Sequence, residues 1–175
     1  MPRSRAMRTA AVASALLLVA IGWYLASPLF IRTTANEAIP SAPASASATT
    51  PPLGATPATQ TDSSATVLAR GELQFVDSLH NGKGQVMLLR VGDQRLLRFE
   101  SVAITNAPDV HVYLSRETGG KWTEATSLYL GALKATNGSF NYDIPKDADL
   151  APYKSVVVWC RAFAVLVTWA DLMAA

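Results

Sequence analysis

The sequence predicts an all-β fold: an antiparallel β-sandwich of about seven to eight strands, preceded by one transmembrane helix and a disordered linker. Short runs rich in β-branched and aromatic residues, separated by turn signals, fill residues 67–175. No run in that region has the 3.6-residue apolar period of a long helix. Before it come an uncharged apolar stretch and a stretch made mostly of Ala, Pro, Ser and Thr.

The uncharged run over residues 9–31 predicts a membrane anchor. Arg3, Arg5 and Arg8 precede it, and as a helix it would be ~34 Å long, enough to cross a bilayer. The basic flank predicts a cytoplasmic N-terminus, and therefore a single-pass cell-membrane protein with an extracytoplasmic C-terminal domain. A cleaved signal peptide is the alternative, although the run is long for one and no small-x-small site follows it. We expect residues 1–32 to be the basic flank and the anchor.

Residues 33–66 predict a linker. They contain almost no bulky apolar side chains, so burial cannot offset the entropy that folding would cost. We expect a disordered, partly extended tether between the anchor and a domain over residues 67–175.

The predicted strands of this domain are bounded by turn residues. Gly92-Asp93 and Asn137-Gly138 are typical of tight turns between strands. The run over residues 155–167 is the most apolar outside the N-terminus and is predicted to be one strand through the core. The predicted strands are 71–76, 85–90, 94–104, 110–114, 128–133, 139–144 and 155–167, with a short tail at 169–172.

Charge and cysteine content exclude several classes of function. The chain carries a formal net charge of +2, with no basic stripe in the folded region, which argues against a nucleic-acid partner. The single cysteine, Cys160, rules out an intramolecular disulfide and also the zinc or iron–sulfur sites that several cysteines of one chain would form. No metal site is predicted, and no motif decides whether the protein is an enzyme.

Three segments together resemble the DM13 domain family. They are Asn-Ala-Pro-Asp-Val-His-Val-Tyr-Leu-Ser at 106–115, Phe-Asn-Tyr-Asp-Ile-Pro at 140–145, and Tyr-Lys-Ser-Val-Val-Val-Trp-Cys-Arg-Ala-Phe-Ala-Val at 153–165. The resemblance extends over residues 71–172. It implies an extracytoplasmic β-sandwich, which in this family often accompanies DOMON and cytochrome b561 domains. The family's near-constant cysteine, a proposed redox centre, corresponds to Cys160.

The sequence departs from the family pattern at a few positions. Ala107 stands where the family usually has Gly, Phe140 where it usually has a polar residue, and Val167-Thr168 where a Phe-Gly or similar pair is usual. These departures concern turns and edges more than the cysteine strand.

Cys160 has three interpretations. It is a redox thiol or a thiolate ligand to haem, a small buried hydrophobe of the core, or one half of an intermolecular disulfide. A reactive thiol needs a nearby positive charge, and in a regular strand Arg161 would point to the opposite face.

Four further residues are candidates for ligand binding: His80, His111, Tyr142 and Trp159. The histidines suit a metal, a haem or a partner to the thiol, but isolated histidines are more often ordinary surface residues. Tyr142 and Trp159, with Tyr113, would form an aromatic wall near the cysteine, or else they are core and cross-strand pairs.

Four aspartates near turns, Asp109, Asp143, Asp147 and Asp149, are calcium candidates. Their spacing fits no calcium loop, and Asp in turns usually caps its own backbone.

Two functions follow from the sequence. One is a redox or electron-transfer module using Cys160, with a redox protein partner that could carry haem. The alternative is a non-catalytic binding or cell-envelope interaction module.

Overall fold

The computed structural model describes residues 3–30, 32–40 and 65–175. One helix, ten strands and a short 3-10 helix at Glu124–Thr126 occur in these ranges. The elements are α1 (Arg3–Phe30), β1 (Thr34–Asn36), β2 (Thr66–Glu72), β3 (Gly82–Val91), β4 (Gln94–Ile104), β5 (Val110–Ser115), β6 (Leu128–Ala132), β7 (Asn137–Ile144), β8 (Ser155–Cys160), β9 (Val165–Asp171) and β10 (Met173–Ala174).

The strands form two sheets that enclose one main core. The larger sheet has the order β1-β7-β4-β3-β2-β10, and the smaller has the order β6-β5-β8-β9. Leu97 and Phe99 of the larger sheet and Val112, Val156 and Val158 of the smaller sheet are fully buried in the shared core. Burying each such side chain stabilises the fold by ~1.5–3 kcal/mol, so the two inner faces supply most of the stability.

One part of the predicted fold, the transmembrane helix, is wrong. In the parts of the chain that the structure describes, no helix is both long and apolar enough to cross a membrane. The predicted cell-membrane localisation, with a cytoplasmic N-terminus, is not tested by the fold and stays a prediction.

The beginning of the predicted linker is part of the domain. β1 pairs with β7 in parallel, so the sandwich is not wholly antiparallel as predicted. Glu37, just after β1, accepts hydrogen bonds from the backbone N–H of Asn141 at 2.9 Å and from Nζ of Lys134 at 3.0 Å. Burial raises the pKa of Glu37, but these donors outweigh it and the pKa is lowered. Residues 41–64 of the predicted linker lie outside the described residues.

Gly138 on β7 makes the docking of β1 sterically feasible. Its φ is +102°, and a Cβ built there would lie 2.1 Å from the carbonyl oxygen of Ala35. Any larger residue would therefore collide with the β1 backbone as well as adopt an unfavourable conformation.

The predicted strand over 155–167 is two strands joined by a tight turn. β8 ends at Cys160, and β9 starts at Val165, which pairs with Cys160 across the hairpin. The turn contains no glycine, proline or asparagine, the residues by which sequence reasoning recognises turns. Ala164 instead adopts a φ of +50°, and its N–H donates to the carbonyl of Arg161. Arg161, the first residue of this turn, follows the buried Cys160 and carries its side chain to the outer face of the smaller sheet.

Candidate functional site

The outer face of the smaller sheet carries a cluster of aromatic side chains. In β5, Val110, Val112 and Leu114 belong to the core cluster, so strand alternation places His111 and Tyr113 on the opposite face. Register across the sheet brings further residues to that face. Trp159 of β8 is the direct cross-strand partner of His111, and Tyr129 of β6 is that of Tyr113.

The loop between β5 and β6 adds Trp122 to this face. Its backbone is tied down where Ser155 Oγ donates to the carbonyl of Glu117 at 2.6 Å and where Gly119 N–H donates to Asp171 at 2.9 Å. At Gly120, with φ +74°, a Cβ would lie 2.8 Å from Leu166 of β9. A glycine is needed there because the loop lies directly against the sheet.

Four rings form a continuous chain. The ring centroids of Trp159 and Trp122 are 5.0 Å apart, those of Trp122 and Tyr113 are 4.6 Å apart, and those of Tyr113 and Tyr129 are 5.3 Å apart. Tyr113 is 1% exposed and Tyr129 is 46% exposed. The chain therefore runs from half-buried tryptophans through a buried tyrosine to a tyrosine at the surface.

Arg161 contacts both tyrosines of the aromatic chain. Its Nε donates a 2.7 Å hydrogen bond to the Tyr113 hydroxyl, and its guanidinium lies 4.7 Å from the ring centroid of Tyr129 and 5.5 Å from that of Tyr113. A second guanidinium nitrogen donates to Glu124 at 3.0 Å. Burial raises the pKa of Tyr113, while the hydrogen bond and charge of Arg161 oppose that rise.

Tyr129, His111 and Asp109 form a hydrogen-bonded relay at the exposed end. Nδ1 of His111 lies 2.9 Å from the Tyr129 hydroxyl, and Nε2 lies 2.6 Å from Oδ1 of Asp109. An ionised carboxylate only accepts hydrogen bonds, so Nε2 of the neutral imidazole carries the proton. Nδ1 then offers its lone pair, and the Tyr129 hydroxyl donates to it.

Cys160 lies on the other side of the same sheet. It is 0% exposed and belongs to the core cluster. Its Sγ donates to the carbonyl of Pro108 at 2.8 Å, a contact that only the neutral thiol can make. A haem plane bound through this sulfur would have to displace the core packing around it, so the residues present do not fit a thiolate-ligated haem.

The other predicted ligand residues lie in separate places. His111 and Trp159 come together in the aromatic cluster. Tyr142 lies instead in the core, where its ring meets Phe99 edge-on and its hydroxyl donates to the carbonyl of Ala132 at 3.0 Å. His80 is in the loop before β3 and bonds Asp77 through Nδ1.

The four aspartates considered as calcium ligands do not converge. Asp109 bonds His111, Asp143 accepts from Gln94, and Asp149 accepts from the N–H of Ala151. Over the described residues, no group of three or more His, Cys, Asp and Glu side chains is placed to hold a metal ion.

Sequence reasoning missed Tyr129, Trp122 and Arg161 as site residues. The alternation of 110–114 already placed His111 and Tyr113 on one face, and a β-hairpin partner for that strand would have pointed to Tyr129. Trp122 lies in a loop, and its position depends on tertiary contacts that strand periodicity does not encode. Alternation placed Arg161 on the face opposite Cys160, but its contacts with Tyr113 and Glu124 depend on tertiary structure.

A comparison with protein families agrees with the resemblance seen in the sequence. The model of the family described as "Electron transfer DM13" matches residues 74–172, more than half of the chain. No curated protein and no solved structure matches the chain. The matched region includes the whole smaller sheet, strands β3, β4 and β7 of the larger sheet, Cys160 and all four rings of the aromatic chain. The chain belongs to the DM13 family.

Proposed function

We propose that this domain transfers single electrons through the aromatic chain on the outer face of its smaller sheet. The continuous contact of four oxidisable rings, Trp159, Trp122, Tyr113 and Tyr129, carries the proposal. Electron tunnelling slows exponentially with distance, so neighbouring rings in contact pass a charge far faster than separated ones. The family's electron-transfer description supports the same function.

The environment of Cys160 favours the rings over the thiol as the electron carrier. A redox thiol reacts as the thiolate and needs both access and a nearby positive charge. Cys160 is fully buried, and its proton points at the Pro108 carbonyl. The guanidinium of Arg161 is engaged on the opposite face with Tyr113 and Glu124. We therefore assign Cys160 a packing role in the electron-transfer domain.

Pulse radiolysis tests the route. Azide radicals oxidise tryptophan in preference to tyrosine, and transfer within the protein then appears as decay of the tryptophan radical with growth of a tyrosyl radical. We expect Trp122→Phe to slow this conversion by roughly tenfold or more, because it separates Trp159 from Tyr113. Trp169→Phe is the matched control, since Trp169 lies on neighbouring β9 outside the ring chain. Equal conversion rates in the two variants would remove the proposed route.

The same face supports the alternative of a non-catalytic binding module. Tyr129 is the most exposed of the four rings, and the charged groups of Arg161 and Glu124 border it. Aromatic surface edged by hydrogen-bonding groups suits a sugar ring or another flat ligand. Saturable quenching of tryptophan fluorescence by oligosaccharides, lost in Tyr129→Ala, would favour this function, whereas unchanged fluorescence would leave electron transfer as the better proposal.

A further inference from the structure

We infer that Tyr129 is the terminal redox group of the four-ring aromatic chain and that it is oxidised with transfer of its phenolic proton to His111. This inference rests on the proposed electron-transfer function and names the proton acceptor and the class of partner it requires. The juxtaposition is a surface tyrosine, a buried imidazole and a carboxylate in one hydrogen-bonded line.

The position of His111 suits a proton acceptor. The His111 side chain is 10% exposed, so water competes little for Nδ1. Asp109 fixes the tautomer that leaves Nδ1 unprotonated, and its negative charge stabilises the imidazolium formed when Nδ1 takes up a proton. The hydroxyl-to-Nδ1 distance of 2.9 Å allows the proton to move along an existing hydrogen bond.

Arg161 makes the loss of the proton necessary. Its positive charge lies 4.7 Å from the Tyr129 ring centroid. A cation at that distance favours the neutral ring and disfavours a ring that has become positive by losing an electron. Removal of the proton together with the electron leaves a neutral tyrosyl radical and avoids this repulsion. Oxidation of Tyr129 is therefore coupled to proton transfer.

Tyr113 has a weaker hydrogen bond to its acceptor than Tyr129 has. The Tyr113 hydroxyl donates to Oε1 of Glu124 over 3.4 Å and accepts a hydrogen bond from Arg161 at 2.7 Å. The same Glu124 oxygen also accepts from Arg161. The buried Tyr113 thus relays charge, while Tyr129, whose hydroxyl is 2.9 Å from Nδ1 of His111, retains it.

The step balances as follows. One electron leaves Tyr129 for a one-electron oxidant, such as a metal complex or an organic radical docked at the exposed ring, and that oxidant is reduced by one electron. The O–H bond of Tyr129 breaks, and an N–H bond forms at Nδ1 of His111. The products are a neutral tyrosyl radical and an imidazolium paired with Asp109, and reduction by one electron reverses both transfers.

The charged groups near this pair include Asp109 before β5, Glu124 in the 3-10 helix and Arg161 in the β8–β9 turn. Of these, only Asp109 bonds the imidazole. The ability of His111 to accept the proton therefore depends on Asp109.

The test uses the full chain with photogenerated tris(bipyridyl)ruthenium(III) as the one-electron oxidant. Tyrosyl formation is followed by transient absorption and electron paramagnetic resonance, in water and in deuterium oxide. Tyr129→Phe identifies the radical, and Tyr153→Phe is the matched control, because Tyr153 contacts Arg116 away from the relay. Loss of the tyrosyl signal in Tyr129→Phe but not in Tyr153→Phe assigns the radical to Tyr129.

His111→Gln retains a polar side chain without a basic nitrogen. We expect it to slow tyrosyl formation by about 10²-fold or more and to abolish the solvent isotope effect. Asp109→Asn is the second variant, since asparagine tolerates the φ of +60° found there. It should also slow tyrosyl formation, because the imidazolium formed at His111 loses the negative charge that stabilises it.

Unchanged rates and isotope effects in folded His111→Gln and Asp109→Asn would overturn the inference. That result is distinct from failure of the electron-transfer route, which is measured by Trp122→Phe in the radiolysis experiment. A tyrosyl radical assigned to a residue other than Tyr129 would also overturn the inference, even if the tryptophan-to-tyrosine conversion occurred.

Discussion

Replacement of Cys160 by alanine should cost stability and leave electron transfer intact. The substitution removes one sulfur atom from a fully buried site and the hydrogen bond to Pro108. The lost transfer free energy is ~1 kcal/mol, and the small cavity and unpaired carbonyl add about as much again. We therefore expect a loss of roughly 2 kcal/mol in the free energy of unfolding, measured by urea denaturation. Cys160→Ser, which keeps a donor for Pro108, is the matched control for the hydrogen bond.

Thiol labelling gives an independent measure of the same burial. If the fold must open by ~5 kcal/mol before a reagent reaches the sulfur, native Cys160 reacts about three to four orders of magnitude more slowly than a free thiol. Labelling in urea should then approach the rate of the free thiol. Two results would refute this reasoning: native labelling at the rate of an exposed thiol, or a folded Cys160→Ala protein that no longer converts tryptophan radicals to tyrosyl radicals.

Three further predictions follow from individual contacts. Glu37→Gln should lower the free energy of unfolding by about 1 kcal/mol near neutral pH. Because the pKa of Glu37 is lowered in the folded protein, the greater stability of the wild type should disappear as the pH falls through that pKa. Equal urea midpoints for the two proteins at neutral pH would contradict this prediction. Arg161→Met should raise the pKa of Tyr113 further, since Arg161 opposes the increase that burial causes. Tyrosinate absorbance at alkaline pH measures this pKa, and a decrease in the variant would contradict the prediction. Phe140→Ala removes a fully buried ring stacked on Phe99 and should cost ~3–5 kcal/mol by urea unfolding, with a loss below 1 kcal/mol as the contrary result.

Much of the larger sheet could be predicted because its strands are marked by local sequence. The predicted strand over 94–104 has the bounds of β4 (Gln94–Ile104), and Gly92 supplies the positive φ of the turn before it. Those features depend on residues close in sequence. β1 could not be found in this way, because it is stabilised by β7 about a hundred residues later, and three polar or small residues have no strand pattern of their own.

The candidate site could be predicted only in part for the same reason. Alternation in 110–114 identified the face that holds His111, and cross-strand pairing placed Trp159 beside it. Arg161 was expected on the face opposite Cys160, and its side chain lies there against Tyr113. The turn that follows was not predicted, because Ala164 at φ +50° ends the strand that was expected to continue to residue 167. A non-glycine residue in this conformation is uncommon, so local sequence gave no indication of the turn.

The contrast between Trp159 and Cys160 explains the direction in which charge should move. These residues are adjacent in β8 but lie on opposite faces of the sheet. On the proposed route, a positive hole on Trp159 can pass outward through ring contacts to Tyr129, where His111 accepts the proton. Inward, the proton of Cys160 is bonded to an amide carbonyl, which is far too weak a base to accept it. Oxidation of the thiol would then leave a positive charge in the dry core, which is costly. We therefore expect the positive charge on Trp159 to move outward through the rings, although Cys160 is its direct neighbour in sequence.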